Sequence, residues 1–279
     1  MDITANLPAV GSAEIVRVAG WTTAYPWLRH GFSTRHGGVS TIYGNADDLN
    51  LGFTKDDDPN DVTENRHRFS EALAEEPGWK MIAVRQVHGT VTKIVAQHDP
   101  ELVGQDGRGL LEADGLITAI PRRLLAIQVA DCVPVLIADT RHRVVAAFHA
   151  GWRGTAAAIV EQGISRMRTE FASHPADLIA AIGPSIGACC YSVGEEVRAS
   201  FAAVFPYAES LFAQHGGKLH LDLAEANRRQ LLESGLAARA INVLGECTGC
   251  ATANGQRKYF SHRMESGFTG RAMGGIGIA

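Results

Sequence analysis

Apolar residues are spaced along this chain in two rhythms. Short runs of β-branched and small apolar residues recur in "MIAVRQVHG" (81–89), "VTKIVA" (91–96), "EADGLITAI" (112–120), "RVVAAFHA" (143–150), "DLIAAIGPSIG" (177–187) and "AINVLGE" (240–246). They predict strands. "RLLAIQVADCVPVLIAD" (123–139) is apolar almost throughout and predicts strand broken near Cys132 and Pro134. "KYFSHR" (258–263) and the glycine-rich "TGRAMGGIGIA" (269–279) also look like strands.

The second rhythm is helical. The acidic run "KDDDPND" (55–61) forms a loop ending in a cap, with a helix over 62–75 that "PGWK" (77–80) stops. Helices are predicted over 154–171 with Thr155 as cap, over 193–205, and over 222–235 closed by Gly235. Strands and helices alternate, yet several neighbouring strands lack a helix between them. This predicts an α/β fold of α+β-like character, with mixed sheets and outer helices. We find no repeat, low-complexity tract or linker.

Composition narrows the function classes. The chain has 279 residues, 46% hydrophobic and 20% charged, which suits a globular protein with a substantial core. A formal net charge of -4 provides no basic footprint for nucleic acid and no polybasic membrane patch. Apolar stretches such as 124–138 are too short and interrupted to span a bilayer. "MDITANLPAV" lacks the features of a secretory leader, so a cytoplasmic location is expected. Five cysteines, an odd number, point to reduced thiols.

Three residues at abrupt strand-to-loop transitions could carry chemistry: His88 in "RQVHG", Cys132 in "ADCVP" and His149 in "FHAGWRG". No local metal motif joins them. Two imidazoles and a thiolate would make a three-ligand zinc site with an open fourth position. The same atoms would suit a thiol nucleophile with a histidine base. A histidine closing a buried strand is also commonly a satisfied core residue, and a cysteine in an apolar run an inert one. Asp131 and Gln86 are candidate orienting partners behind these residues.

Arg35 in "STRHGGVS" and Arg153 before the 154–171 helix are candidate anion ligands, against the plainer readings of a solvated turn and a surface arginine. "CTGC" (247–250) has C-x-x-C spacing but no second pair; Cys189 and Cys190 are adjacent and do not imitate one, so no structural zinc is expected there. "GPSIG" matches neither a dinucleotide fingerprint nor a Walker loop.

"FSTRHGGVS", "LNLG", "RQVHG", "ADGLIT", "ADCVPVLIAD", "AAFHAGWRGT", "IGPSIGACCYSVGEEV", "CTGC" and "TGR" occur in this order from Gly31 to Arg271. Together they resemble the laccase-domain family, also called YfiH or polyphenol-oxidase-like. The resemblance implies one domain over 1–279, a layered sandwich with sheets inside and helices outside, its first roughly 20 residues peripheral. It implies that His88, Cys132 and His149 bind zinc, with copper a second candidate. The implied activity is phosphorolysis of purine nucleosides (adenosine, inosine, guanosine, methylthioadenosine), with adenosine deamination at the same site. Arg35 and Arg153 would hold the phosphate. Alternatives are a Cys/His amidohydrolase editing a peptidoglycan precursor and a copper-dependent polyphenol oxidase; the chain has no H-x-H pair for the latter. The chain departs from the family's "FFSYRRD" pattern at "YFSHRME", where His262 and Met264 replace a tyrosine and an arginine.

Overall fold

The computed structural model describes residues 12–97, 102–104 and 106–279; the leader reading on residues 1–10 lies outside them. Two sheets form the centre. One runs in the order Ile15–Val16, Leu28–Ser33, Ala272–Ile278, Arg123–Val129, Lys80–Ile82. The other runs Ile241–Val243, Leu178–Ile182, Val133–Asp139, Val144–Ala150, Gly115–Thr118, Thr92–Val95. Both mix parallel and antiparallel pairs.

Alternation along each strand sorts the core into layers. Leu125 and Ile127 face the space between the sheets, where they meet Leu136, Ala138, Val145 and Ala147. Their neighbours Leu124 and Ala126 turn outward onto Phe69 and Leu73 of the helix Pro59–Ala74. Across the second sheet, Val133, Val135 and Ile137 pack with Ile164 of the helix Ile159–Phe171, Phe201 of Glu195–Ala202 and Leu231 of Leu223–Glu233. Helices therefore cover the outer face of each sheet, as the family resemblance implies. The predicted break in 123–139 falls at residues 130–132, between two strands that lie in different sheets. Both are buried on both faces, so neither shows polar alternation.

Several boundaries move. The strand predicted over 81–89 ends at Ile82, because the chain then turns to present His88, whose φ is 61°. Residues 258–263 form no strand; Tyr259 and Phe260 are buried from a loop. The 154–171 helix starts at Trp152, breaks where Ala158 is left-handed (φ 57°) and resumes at Ile159. Thr155 lies inside the first piece, buried, and its hydroxyl accepts from Asn227 at 3.1 Å instead of capping. Asp58 and Asp222 do cap their helices, accepting from the N–H groups of Asn60 and Glu225. The N-terminal segment is not peripheral from residue 13 onward: Ala13, Ile15, Val16 and Val18 are buried, and Ile15–Val16 pairs with Phe32–Ser33.

His30 tests this first sheet. Its ring is 1% exposed, and Nε2 accepts the Val18 N–H at 3.1 Å. Burial, aided by the Arg17 charge, pushes its pKa down to about 3. An unfolded histidine titrates near 6.5, so below that pH the unfolded chain takes a proton that the folded chain refuses. Stability should therefore fall as pH drops from about 6.5 towards 3, with a slope approaching about 1.4 kcal/mol per pH unit. His30→Gln should flatten the decline between pH 6.5 and 5 in denaturant titrations. Parallel declines in the two proteins would remove His30 as the cause.

Candidate metal centre

Pairing of the strands Val133–Asp139 and Val144–Ala150 sets Val133 opposite Ala150 and Pro134 opposite His149. Cys132, one residue before Val133, thus emerges beside His149. His88 arrives from the other side on the loop after Lys80–Ile82. What brings it in is Asp114, a fully buried residue immediately before the strand Gly115–Thr118. Its carboxylate accepts the backbone N–H groups of Val87 (3.2 Å), His88 (3.0 Å) and Gly89 (2.7 Å). The same carboxylate lies 2.8 Å from His149 Nδ1, and the Asp114 carbonyl accepts the His149 N–H at 2.7 Å.

These contacts bring the three donors together. One ligand atom each from His88, Cys132 and His149 lies within 4.8 Å of the other two, and Cys132 Sγ is 3.9 Å from His88 Nε2. The imidazoles meet edge to face with centroids 4.8 Å apart. With Nδ1 committed to Asp114, His149 has Nε2 left as its donor. Gly151 leaves room beside them: a methyl there would lie 3.0 Å from His88 Cδ2 and 3.1 Å from Cys132 Sγ. His149 is 3% exposed, Cys132 half-buried and His88 exposed, so the three donors run from the interior to the surface. Two imidazoles and a thiol so arranged fit a divalent metal with one position left open.

The charges favour the same use. Burial opposes ionisation of the Cys132 thiol, but His149 and His88 outweigh it and bring its pKa down to about 6. Burial likewise opposes charging His149, but Cys132 and Asp114 raise it to about 9. Asp114 is itself held ionised against burial by His149 and the Gly89 N–H.

A cleft of about 590 Å³ opens over the centre. Arg66, Arg85, Arg108, Arg263 and Arg271 line it, with Phe53 and Tyr191 as aromatic walls. The Arg66 and Arg108 guanidiniums stand 4.4 and 4.5 Å from the Phe53 ring centroid. Among the described residues, Asp131 is its one acidic lining residue.

Other sequence candidates fall elsewhere. Arg35 is not in this cleft: it is 3% exposed, and its guanidinium donates to Asp48 (2.8 and 3.0 Å), Glu265 (3.1 Å) and the Tyr43 carbonyl (2.9 Å). Its guanidinium is taken up by these partners, which makes it a structural tie between the segments they belong to. Arg153 is exposed, stacked 4.3 Å over Trp152 on an adjoining groove that shares Tyr191 and Arg263 with the cleft. Asp131 contacts no ligand side chain. Its carboxylate accepts the Thr248 and Ser261 hydroxyls (both 2.7 Å) and the Arg263 N–H (2.7 Å). Gln86 exchanges two 2.7 Å bonds with the Gln128 backbone, tying the His88 loop to the first sheet. His262 lines the cleft, whereas Met264 is 43% exposed outside its lining.

Sequence reasoning missed Asp114, although it stands in the quoted "ADGLIT"; an acid entering a buried apolar strand was the available signal. It also dismissed a cysteine pairing that the fold creates. Leu178–Ile182 and Ile241–Val243 run parallel, so the loops that follow them leave the same sheet edge. Cys189 and Cys190 thereby meet Cys247 and Cys250, all four sulfurs lying within 4.8 Å of one another.

Residues 29–279 match the family described as multi-copper polyphenol oxidoreductase laccase, and the chain belongs to that family. It is 38% identical over 250 residues to the purine nucleoside phosphorylase YlmD of Geobacillus stearothermophilus, covering 88% of this chain and 89% of the relative. It is 37% identical over 242 residues to the purine nucleoside phosphorylase YfiH of Escherichia coli, covering 86% and 89%. The crystal structure of YlmD from Geobacillus stearothermophilus superposes with a TM-score of 0.85 at 35% identity over 99% of both chains. That of the hypothetical protein YfiH of Bacillus licheniformis also gives 0.85, at 31% identity over 99% of both.

Two substitutions test the assignments. Asp114→Asn should weaken metal binding by about 10- to 100-fold, because an amide is a poorer partner for His149 and for three backbone donors. Competition with a chromophoric chelator would measure this; unchanged affinity would remove Asp114 from the centre. Arg35→Ala should cost about 3–5 kcal/mol of stability by stranding buried Asp48, with no selective effect on phosphate dependence. A raised phosphate KM in a protein of unchanged stability would reverse that assignment.

Proposed function

We propose that this protein is an enzyme that cleaves purine nucleosides with phosphate at the His88, Cys132 and His149 centre, and that the metal it holds there is zinc. The observation that carries the reading is the convergence of those three donors at the end of an arginine-lined cleft. The names of the relatives, purine nucleoside phosphorylases, point the same way.

In phosphorolysis a phosphate oxygen bonds to the ribose anomeric carbon as the bond to the purine nitrogen breaks. The electron pair leaves with the base, which takes up a proton. Positive charge develops on the ribose and negative charge on the leaving base, so the site must hold an anion and exclude competing water. Arg263 and Arg271 replace Arg35 as candidate phosphate ligands, and Arg153 sits where the adjoining groove meets the cleft. The guanidiniums stacked on Phe53 and Tyr191 offer planar cationic faces to a purine or its phosphate partner. Zinc, when bound, would act as a Lewis acid and lower the pKa of a water, which is the chemistry adenosine deamination needs.

A second reading has its own support. Asp114, His149 and Cys132 form a carboxylate, imidazole and thiol series, with the thiol pKa brought down to about 6 against the effect of burial. That series suits a thiol amidohydrolase on a cell-wall precursor. Polyphenol oxidation by a copper cluster has less support. Among the described residues, the two groups able to hold a metal are this His/Cys/His set and the four cysteines, and neither is histidine-rich.

Cys132→Ala should lower the zinc content by about one ion per chain and abolish turnover of adenosine and inosine, with the circular dichroism unchanged. The assay is run with and without phosphate. Phosphate-dependent release of free base supports phosphorolysis, and inosine formed from adenosine supports deamination. Full turnover with zinc retained would sink the site assignment. Zinc-loaded wild type inert towards nucleosides would favour the amidohydrolase.

A further inference from the structure

The four cysteines at the edge of the second sheet have no part in the chemistry above. We propose that Cys189, Cys190, Cys247 and Cys250 form a second metal site, a closed tetrathiolate holding one structural zinc ion. Their sulfurs lie within 4.8 Å of one another, and Cys189 Sγ is 3.7 Å from Cys250 Sγ. Zinc bonded to sulfur at about 2.3 Å in a tetrahedron places its sulfurs about 3.8 Å apart. A quartet drawn in this tightly has room for one ion and none for bridging sulfides, which sets it apart from an iron–sulfur cluster.

The backbone is shaped around the sulfurs. The Gly187 N–H donates to Cys247 Sγ at 3.2 Å, a contact that favours thiolate. A methyl on Gly187 would lie 3.4 Å from Cys189 Sγ and 3.5 Å from Cys247 Sγ; one on Gly249 would lie 3.1 Å from Cys190 Sγ. The Gly249 loop thus passes Cys190 at a range that a Cβ would crowd, while at Gly187 the tighter approach is to Cys247 Cβ, at 3.3 Å. Cys189 and Cys250 are exposed, giving an ion a way in. Loading is proton exchange without redox change: each thiol that bonds the ion releases its proton.

The site has a structural consequence. Between them these two loops carry Tyr191, a wall of the cleft, and Thr248, whose hydroxyl donates to Asp131 next to Cys132. One ion at the four sulfurs would join two loops that already meet through the Ser185–Cys247 bridge (Ser185 N–H to the Glu246 carbonyl at 3.3 Å, Thr248 N–H to the Ser185 carbonyl at 3.0 Å) and the Gly187 N–H on Cys247 Sγ. The site stands on its own donors, whatever reaction the His88 centre performs.

The experiment is elemental analysis of protein purified under reducing conditions and loaded with zinc. Wild type should carry about two zinc ions per chain, and Cys132→Ala about one. Cys250→Ser and Cys247→Ser should also fall to about one, with the His88 centre still loaded. Cobalt-loaded Cys132→Ala should show the intense visible bands of a tetrathiolate, and those bands should vanish in Cys132→Ala/Cys250→Ser. Alkylation of the wild type, mapped by mass spectrometry, covers the case of a variant that misfolds. The four thiols should be protected with zinc and released by a strong chelator, with Cys132 followed separately. Equal alkylation with and without chelator, iron with labile sulfide, or disulfides persisting under reductant would each overturn the proposal. Loss of nucleoside turnover alone would bear only on the other centre.

Discussion

The carboxylate of Asp114 is the contact on which the candidate centre depends. It is fully buried, and an unpartnered buried charge costs several kcal/mol. Four donors from two parts of the chain offset that cost: the His149 ring and three consecutive backbone N–H groups at 87–89. The left-handed His88 backbone is what lets consecutive N–H groups converge on one acceptor. Satisfying this one carboxylate therefore places one ligand residue, orients the ring of another and commits its Nδ1. Without it, the His88 loop would keep the Gln86 tie to the first sheet but lose its three bonds to the second.

Asp131 plays the matching part on the other side. It stands where the chain leaves the first sheet for the second, with φ 90°, a conformation that L residues seldom adopt. Its carboxylate gathers Thr248, Ser261 and the Arg263 N–H. The C-terminal loops that carry cleft residues are thereby fastened one residue from Cys132. Adjacent residues divide the work: one faces the metal centre, the other holds the wall beside it.

The distribution of arginines follows the same logic of buried charge. Arg35 is balanced by Asp48 and Glu265 and stacked on Phe260 at 4.7 Å, so it has little left to offer a ligand. Of the cleft's arginines, Arg85 pairs with Glu112 (3.0 Å) and Arg108 with Asp106 (3.1 Å), while Arg66, Arg263 and Arg271 donate to backbone carbonyls; Asp131, the one acidic lining residue among those described, already accepts three hydrogen bonds. An excess of guanidinium over carboxylate in a concave, partly apolar cleft suits an anionic or phosphate-bearing ligand.

How much of this was legible in the sequence differs from residue to residue. Runs such as "LLAIQV" and "VPVLIAD" state plainly that their strands are buried on both faces, because burial is written locally in side-chain polarity. The acidic run at 55–61 likewise announces a helix cap, though the helix begins at Pro59 and not at Val62, and Asp222, read as the first residue of its helix, is the cap. His88, Cys132 and His149 could be singled out as residue types at strand ends, and the family resemblance joined them, but their spacing alone could not. Nothing local distinguished the tied Arg35 from the arginines of the cleft, since an arginine's role depends on which carboxylates the fold brings to it. The four cysteines make the point most sharply. The sequence alone determined which strands are buried on both faces and which residue types were available for chemistry. Only the tertiary structure decided which distant residues meet, because parallel pairing of two strands and the need to satisfy two acidic groups are settled across space.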